Sequence, residues 1–122
     1  MQKRRETDIL SCPITAMNLF EYKQGDFSSE LIDIVYEDDA IRVERIVSMG
    51  HTTPEDFVYD QDENELVSVL EGEAELLLYD IGERIFLRKG DSFMLLSGVR
   101  HKVIYTSEPC IWMCIFEKRG GL

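Results

Sequence analysis

Residues 59–78 read YDQDENELVSVLEGEAELLL, and their phase decides how the rest of the chain is interpreted. Glu65, Val67 and Val69 are spaced two apart, as are Leu66, Ser68 and Leu70, so a strand here puts each set on one face. If the valines point into a core, Glu65 points there with them. A carboxylate aimed into an apolar interior must be paired, hydrogen-bonded, protonated or bound to a metal. Glu71-Gly72 interrupts the strand, which resumes at Glu73.

Working outward, the chain is a series of short strands separated by turn signals. Downstream, Asp80-Ile81-Gly82-Glu83 predicts a hairpin turn between Leu76–Tyr79 and Arg84–Leu87. Lys89-Gly90-Asp91 turns into Ser92–Leu96, and Ser97-Gly98 ends that run. His101–Thr106 alternates, with His101, Val103 and Tyr105 in one phase. Cys110–Phe116 (CIWMCIF) is a continuous apolar run, as in a strand buried on both sides.

Upstream, Asn18–Tyr22 is read as a short strand and Glu30–Tyr36 as another. Ile41–Met49 alternates clearly. Ile41, Val43, Val47 and Met49 share a face with Arg45, which predicts that Arg45 reaches the interior, while Arg42, Glu44 and Ser48 take the opposite face. No long amphipathic helix is legible. The expectation is an all-β sandwich or barrel forming a single domain over 1–122, with a tail or arm over 1–17, a barrel over about 18–117 and a short tail over 118–122.

The 122 residues carry a net charge of −11, and the only basic cluster is Lys3-Arg4-Arg5. Nucleic acid and anionic membrane surfaces are therefore poor partners, since both are bound by cations. No apolar run has the length of a membrane span or the form of a signal peptide. Cys12, Cys110 and Cys114 lack zinc-type spacing, and buried thiols in a reducing cytoplasm are the expectation.

Two segments in the right order resemble the cupin superfamily. One is ELVSVLEGEAEL, with Glu65 and Gly72. The other is GDSFMLLSGVRH, with Gly90-Asp91, Gly98 and His101. The resemblance covers about residues 41–117 and implies a small single-domain cupin, a double-stranded β-helix or jelly-roll barrel. It also implies a divalent metal, such as zinc, iron, manganese or nickel, at the barrel mouth. In the family that metal is held by two histidines, a glutamate and a further histidine. Glu65 and His101 fall on the last two positions. Tyr59 and Gln61 fall on the first two, so motif one is degenerate. Leu96 stands where the family usually has proline, and Tyr105 where it often has asparagine. Stand-alone cupins with a Y-D-Q segment are similar to this pattern.

Chemistry alone leaves several readings open. Glu65, His101 and the Gln61 carbonyl form a mixed oxygen and nitrogen donor set for a metal. A metal-free barrel in which Glu65 and His101 pair directly needs no ion. His51 would enlarge the set only by folding over the mouth, and an exposed loop histidine is the plainer expectation. The first functional expectation is a small-molecule-binding barrel with Tyr59, Gln61, Tyr105 and Arg45 lining the pocket. The alternative is an isomerase, lyase, hydrolase or dioxygenase using Glu65 and His101 as catalytic groups. A structural dimerisation module is a third. A homodimer is expected, through an added strand at a sheet edge.

Overall fold

The computed structural model describes residues 16–118. Cys12 and most of the two expected tails lie outside the described residues. Eight strands follow one another: β1 (Leu31–Glu37), β2 (Ile41–Ser48), β3 (Asn64–Glu71), β4 (Glu73–Leu78), β5 (Glu83–Arg88), β6 (Ser92–Leu95), β7 (His101–Thr106) and β8 (Cys110–Glu117). They form a five-stranded sheet in the order β1-β2-β8-β3-β6 and a three-stranded sheet in the order β5-β4-β7, with antiparallel pairing throughout. This is an all-β jelly-roll barrel: the strand pattern predicts the all-β class, and the family resemblance implies the jelly-roll. Among the described residues no helix is long and apolar enough to cross a membrane.

The inner faces of the two sheets enclose a core that includes Val67, Val69, Leu76, Leu87, Leu95 and Trp112. Burying one such side chain stabilises the fold by about 1.5–3 kcal/mol, so this alternation fixes which way each strand faces. In β3, Glu65, Val67 and Val69 are all buried and Leu66, Ser68 and Leu70 are less so. The phase predicted for Glu65 is the phase observed.

Three sequence expectations are corrected. Asn18–Tyr22 is not a strand but a turn, closed by the Asn18 side chain accepting from the Phe20 N–H at 2.8 Å and the Asn18 carbonyl accepting from the Glu21 N–H at 3.1 Å. In β2 the inner face carries Glu44 and Ile46, and Arg45 lies on the outer face. There the guanidinium donates to the Leu19 and Glu21 carbonyls at 2.8 and 2.9 Å and pairs with Asp33 at 2.6 Å. The outer face reads as apolar because residues 18–22 cover it, so composition alone assigned the wrong side.

The third correction concerns β7. Val103 lies opposite Leu76 and Tyr105 opposite Glu75, leaving Ile104 as an extra residue. This bulge reverses the phase, so Thr106 is buried and Tyr105 is exposed. Tyr105 stacks on Phe86 and donates to Glu73 at 3.1 Å on the outer face of the small sheet. It does not line the cavity.

Gly72 joins β3 to β4 with a φ of +81°, and a Cβ there would lie 2.2 Å from Ser107 Oγ and 2.3 Å from the Pro109 carbonyl oxygen. Both the left-handed backbone and the close approach require glycine. Gly72→Ala is expected to lower unfolding stability by about 2–3 kcal/mol, measured by urea denaturation. A change of less than a few tenths would mean that the β3–β4 junction yields freely.

Candidate functional site

Between the sheets lies a mostly apolar cavity of about 170 Å³. Its floor is made by Val67, Leu76, Leu95, Trp112 and Phe116, and its polar groups gather toward one side. Register explains the convergence: Glu65 lies opposite Phe116 on one neighbour and Leu95 on the other, and Cys114 lies opposite Val67.

A strap formed by residues 59–61 completes this wall. Tyr59 exchanges both backbone hydrogen bonds with His101, at 2.9 and 3.0 Å, and the Gly98 N–H donates to the Gln61 carbonyl at 2.9 Å. The strap therefore runs beside the start of β7 like a short extra strand. It lays the Tyr59 ring against the His101 ring, with centroids 5.2 Å apart and planes 16° from parallel. It also brings the Gln61 amide to Glu65, donating to Oε1 at 2.9 Å.

Glu65 is only 8 % exposed. Burial pushes its carboxyl above the ordinary range, opposed by the Gln61 donor, by the Cys114 thiol against it and by the positive charge that His101 can carry. Burial likewise raises Tyr59, helped by the nearby Glu30 and Glu65, so the phenol stays protonated. The Cys114 thiol is pushed well above its usual range by burial and by Glu65. Cys110 is pushed up to about 12, chiefly by burial, so neither is a ready nucleophile.

His101 is buried, and its Nδ1 lies 3.1 Å from the Val99 carbonyl oxygen. A carbonyl only accepts, so the neutral ring carries its proton on Nδ1 and keeps a lone pair on Nε2. Among the described residues nothing donates to that nitrogen. Glu65 and His101 do not hydrogen-bond each other; each is held by a different neighbour. The direct pair considered from sequence is thus replaced by two separately anchored groups on one wall.

The structure brings together Glu65, His101, Gln61 and Tyr59, and leaves out Arg45 and Tyr105. It adds Glu44 and Glu30, which sequence reading missed. Glu44 was hidden by the reversed phase of β2. Glu30 precedes β1 and reaches the cavity by bonding to Ser48, which also accepts from the Trp112 indole N–H at 3.0 Å. His51 is half-buried rather than exposed. Its Nδ1 accepts from the Met49 N–H at 2.9 Å and its Nε2 donates to the Phe27 carbonyl at 2.8 Å, so both ring nitrogens are engaged away from the site.

The donor set does not fit a tightly held transition metal. Among the described residues no three His, Cys, Asp or Glu side chains gather as a metal group. Where the resemblance places histidines, Tyr59 keeps its proton and Gln61 turns its amide N–H toward Glu65. Of the four positions that the resemblance gives to ligands, that leaves one imidazole nitrogen and one carboxylate as strong donors.

Comparison with known proteins agrees with this fold. A cupin domain profile matches residues 44–116. The chain therefore belongs to the cupin family. Among solved structures, a provisionally assigned mannose-6-phosphate isomerase from Ralstonia eutropha JMP134 is 27 % identical, with a TM-score of 0.79 over 86 % of this chain and 99 % of that one. KdgF from a Halomonas species is 17 % identical, with a TM-score of 0.68 over 84 % and 93 %. A cupin superfamily protein from Desulfitobacterium hafniense DCB-2 is 16 % identical, with a TM-score of 0.65 over 78 % and 83 %. The latter two likenesses concern the fold alone. No curated protein matches.

Ionised Glu65 is penalised by the fold and not by the unfolded chain, so its cost is absent below the ordinary carboxylate value of 4.5. The cost grows as pH rises from there toward the elevated folded-state value, and then stays constant. Glu65→Gln keeps an acceptor for Gln61 and removes the charge. It is expected to be more stable than the parent by on the order of 1–2 kcal/mol above neutral pH, with the two stabilities converging near that lower value. Urea unfolding across pH checks this; a difference independent of pH would assign the effect to packing instead.

Proposed function

We propose that this cupin binds a small molecule in the cavity between its two sheets, with Glu65 and His101 contacting the ligand's polar end. The observation that carries this reading is the convergence, from facing sheets, of a buried carboxylate and an imidazole whose Nε2 has no donor among the described residues, in a mostly apolar chamber. Such a combination of apolar lining and a few fixed polar groups is how small ligands are bound and oriented. The chamber holds on the order of ten non-hydrogen atoms.

Trp112, the only tryptophan of the chain, lines this chamber and reports on its contents. A ligand entering it is expected to shift the indole emission. Val67→Phe, which fills the chamber, should weaken that response by about tenfold or more. Equal responses in the parent and the filled variant would place binding elsewhere. Metal analysis of the purified protein should return well under one equivalent of transition metal; a full equivalent that disappears in His101→Ala would overturn the metal-free reading.

The same pair of groups supports a second reading, proton transfer. An elevated carboxyl and a neutral imidazole nitrogen facing one bound molecule are suited to taking a proton from one atom and returning it at another, as isomerases and lyases require. In that reading Glu65→Gln abolishes turnover while leaving ligand affinity within a few fold.

The homodimer enters as a proposal through β1. This strand is at the edge of the five-stranded sheet, and its Ile32 and Ile34 are each more than half exposed. An exposed apolar edge is a template for pairing with a second copy. Sedimentation of the parent as a dimer and of Ile34→Glu as a monomer is the expected result; a monomeric parent would remove the proposal.

A further inference from the structure

The charge of the chamber narrows what it takes. Glu30, Glu44 and Glu65 all contribute to its lining, whereas no lysine or arginine of the described residues does. Of the nearby cations, Arg42 offsets the lining carboxylate of Glu44, which leaves Glu30 and Glu65 without a cationic partner among the described residues, and the others are engaged away from the chamber. Arg42 donates through Nε to Glu44 at 2.8 Å and through both terminal nitrogens to Glu63 at 3.1 and 3.0 Å, with its guanidinium lying over the Phe116 ring. Arg45 is on the outer face of the sheet, and Arg100 pairs with Asp80.

Hydrogen-bonding capacity points the same way. The Trp112 N–H is taken by Ser48, and one Gln61 amide hydrogen by Glu65. His101 is 96 % buried by its 4 % exposure, and its Nε2 lone pair has no donor among the described residues. The wall thus offers acceptors in excess: that lone pair, the carboxylates and the Gln61 side-chain oxygen. Buried acceptors and desolvated carboxylates are relieved by a molecule that brings N–H groups and positive charge. The Trp112 ring, also in the lining, adds aromatic surface that attracts a cation.

We infer that the occupant is a small organic cation, an amine with N–H donors on a compact apolar body. This rests on the reading of the chamber as a ligand site, and it goes further by setting the sign of the ligand's charge. An anionic substrate such as a sugar phosphate would meet the carboxylates of Glu30 and Glu65, which no lysine or arginine of the described residues pairs. The amine nitrogen sits against Glu65 and His101 Nε2, and its apolar body lies on Val67, Leu76 and Leu95.

Three probes of one shape separate the possibilities: cyclohexylamine, cyclohexanol and cyclohexanecarboxylate, each titrated against the full chain near neutral pH with a chelator present. Trp112 emission and thermal shift are the readouts. The amine is expected to bind at least about tenfold more tightly than the alcohol, and the carboxylate least. Glu65→Gln should bring amine and alcohol to within a few fold of each other without weakening the alcohol. Glu30→Gln, which removes a second lining carboxylate while keeping Glu65 and His101, should narrow the gap in the same direction. Equal binding of amine and alcohol would overturn the charge inference and leave the ligand chamber intact. Binding by none of the three would remove both. Preference for the carboxylate, an amine preference unchanged in both variants, or displacement of the amine by added zinc once the chelator is omitted would each overturn the inference.

Discussion

Glu65 occupies an inward position on β3 that its neighbours Val67 and Val69 hold in place. Turning the carboxylate outward would turn both valines outward as well, because a strand cannot rotate one residue independently of the next but one. The fold therefore accepts a desolvated acid as a consequence of its core. The arrangement around Glu65 follows from that constraint. Gln61 donates to it, the Cys114 thiol lies against it, and His101 approaches from the opposite sheet. Each of these reduces the cost of the buried charge without cancelling it.

The strap that carries Tyr59 and Gln61 links this constraint to the geometry of the cavity. Its backbone hydrogen bonds to His101 and Gly98 are those of a strand, so the two side chains are set by pairing rather than by a loop's own preferences. Placing the polar groups on paired backbone keeps them fixed relative to one another. Preorganisation of this kind lets a small chamber discriminate between ligands by charge as well as by size.

The two arginines of β2 show how one strand serves both faces of a sheet. Arg42 is bonded to Glu44 and Glu63 and lies on Phe116. Arg45 is buried on the outside and fastens residues 19–21 and Asp33 to the sheet. Neither charge faces the cavity, so its wall is acidic although basic residues are nearby. Cupin relatives share the barrel, while the charge of this wall belongs to the side chains that this chain places on it.

Strand alternation and turn residues were enough to predict all eight strands near their observed bounds, because period-two burial and glycine turns are local properties, and they added one at Asn18–Tyr22 that is a turn. The same local reading placed Glu65 inward, and the cupin resemblance put it with His101, Gln61 and Tyr59. What it could not decide was which face of β2 is interior, since both faces are covered and both carry apolar residues. Nor could it place Tyr105, whose phase depends on a bulge set by pairing with β4, or Glu30, which reaches the cavity through a hydrogen bond to a residue 18 positions away. Periodicity is written along the chain, but parity across a bulge, the covering of a sheet and the charge of an enclosed wall arise only when distant segments meet.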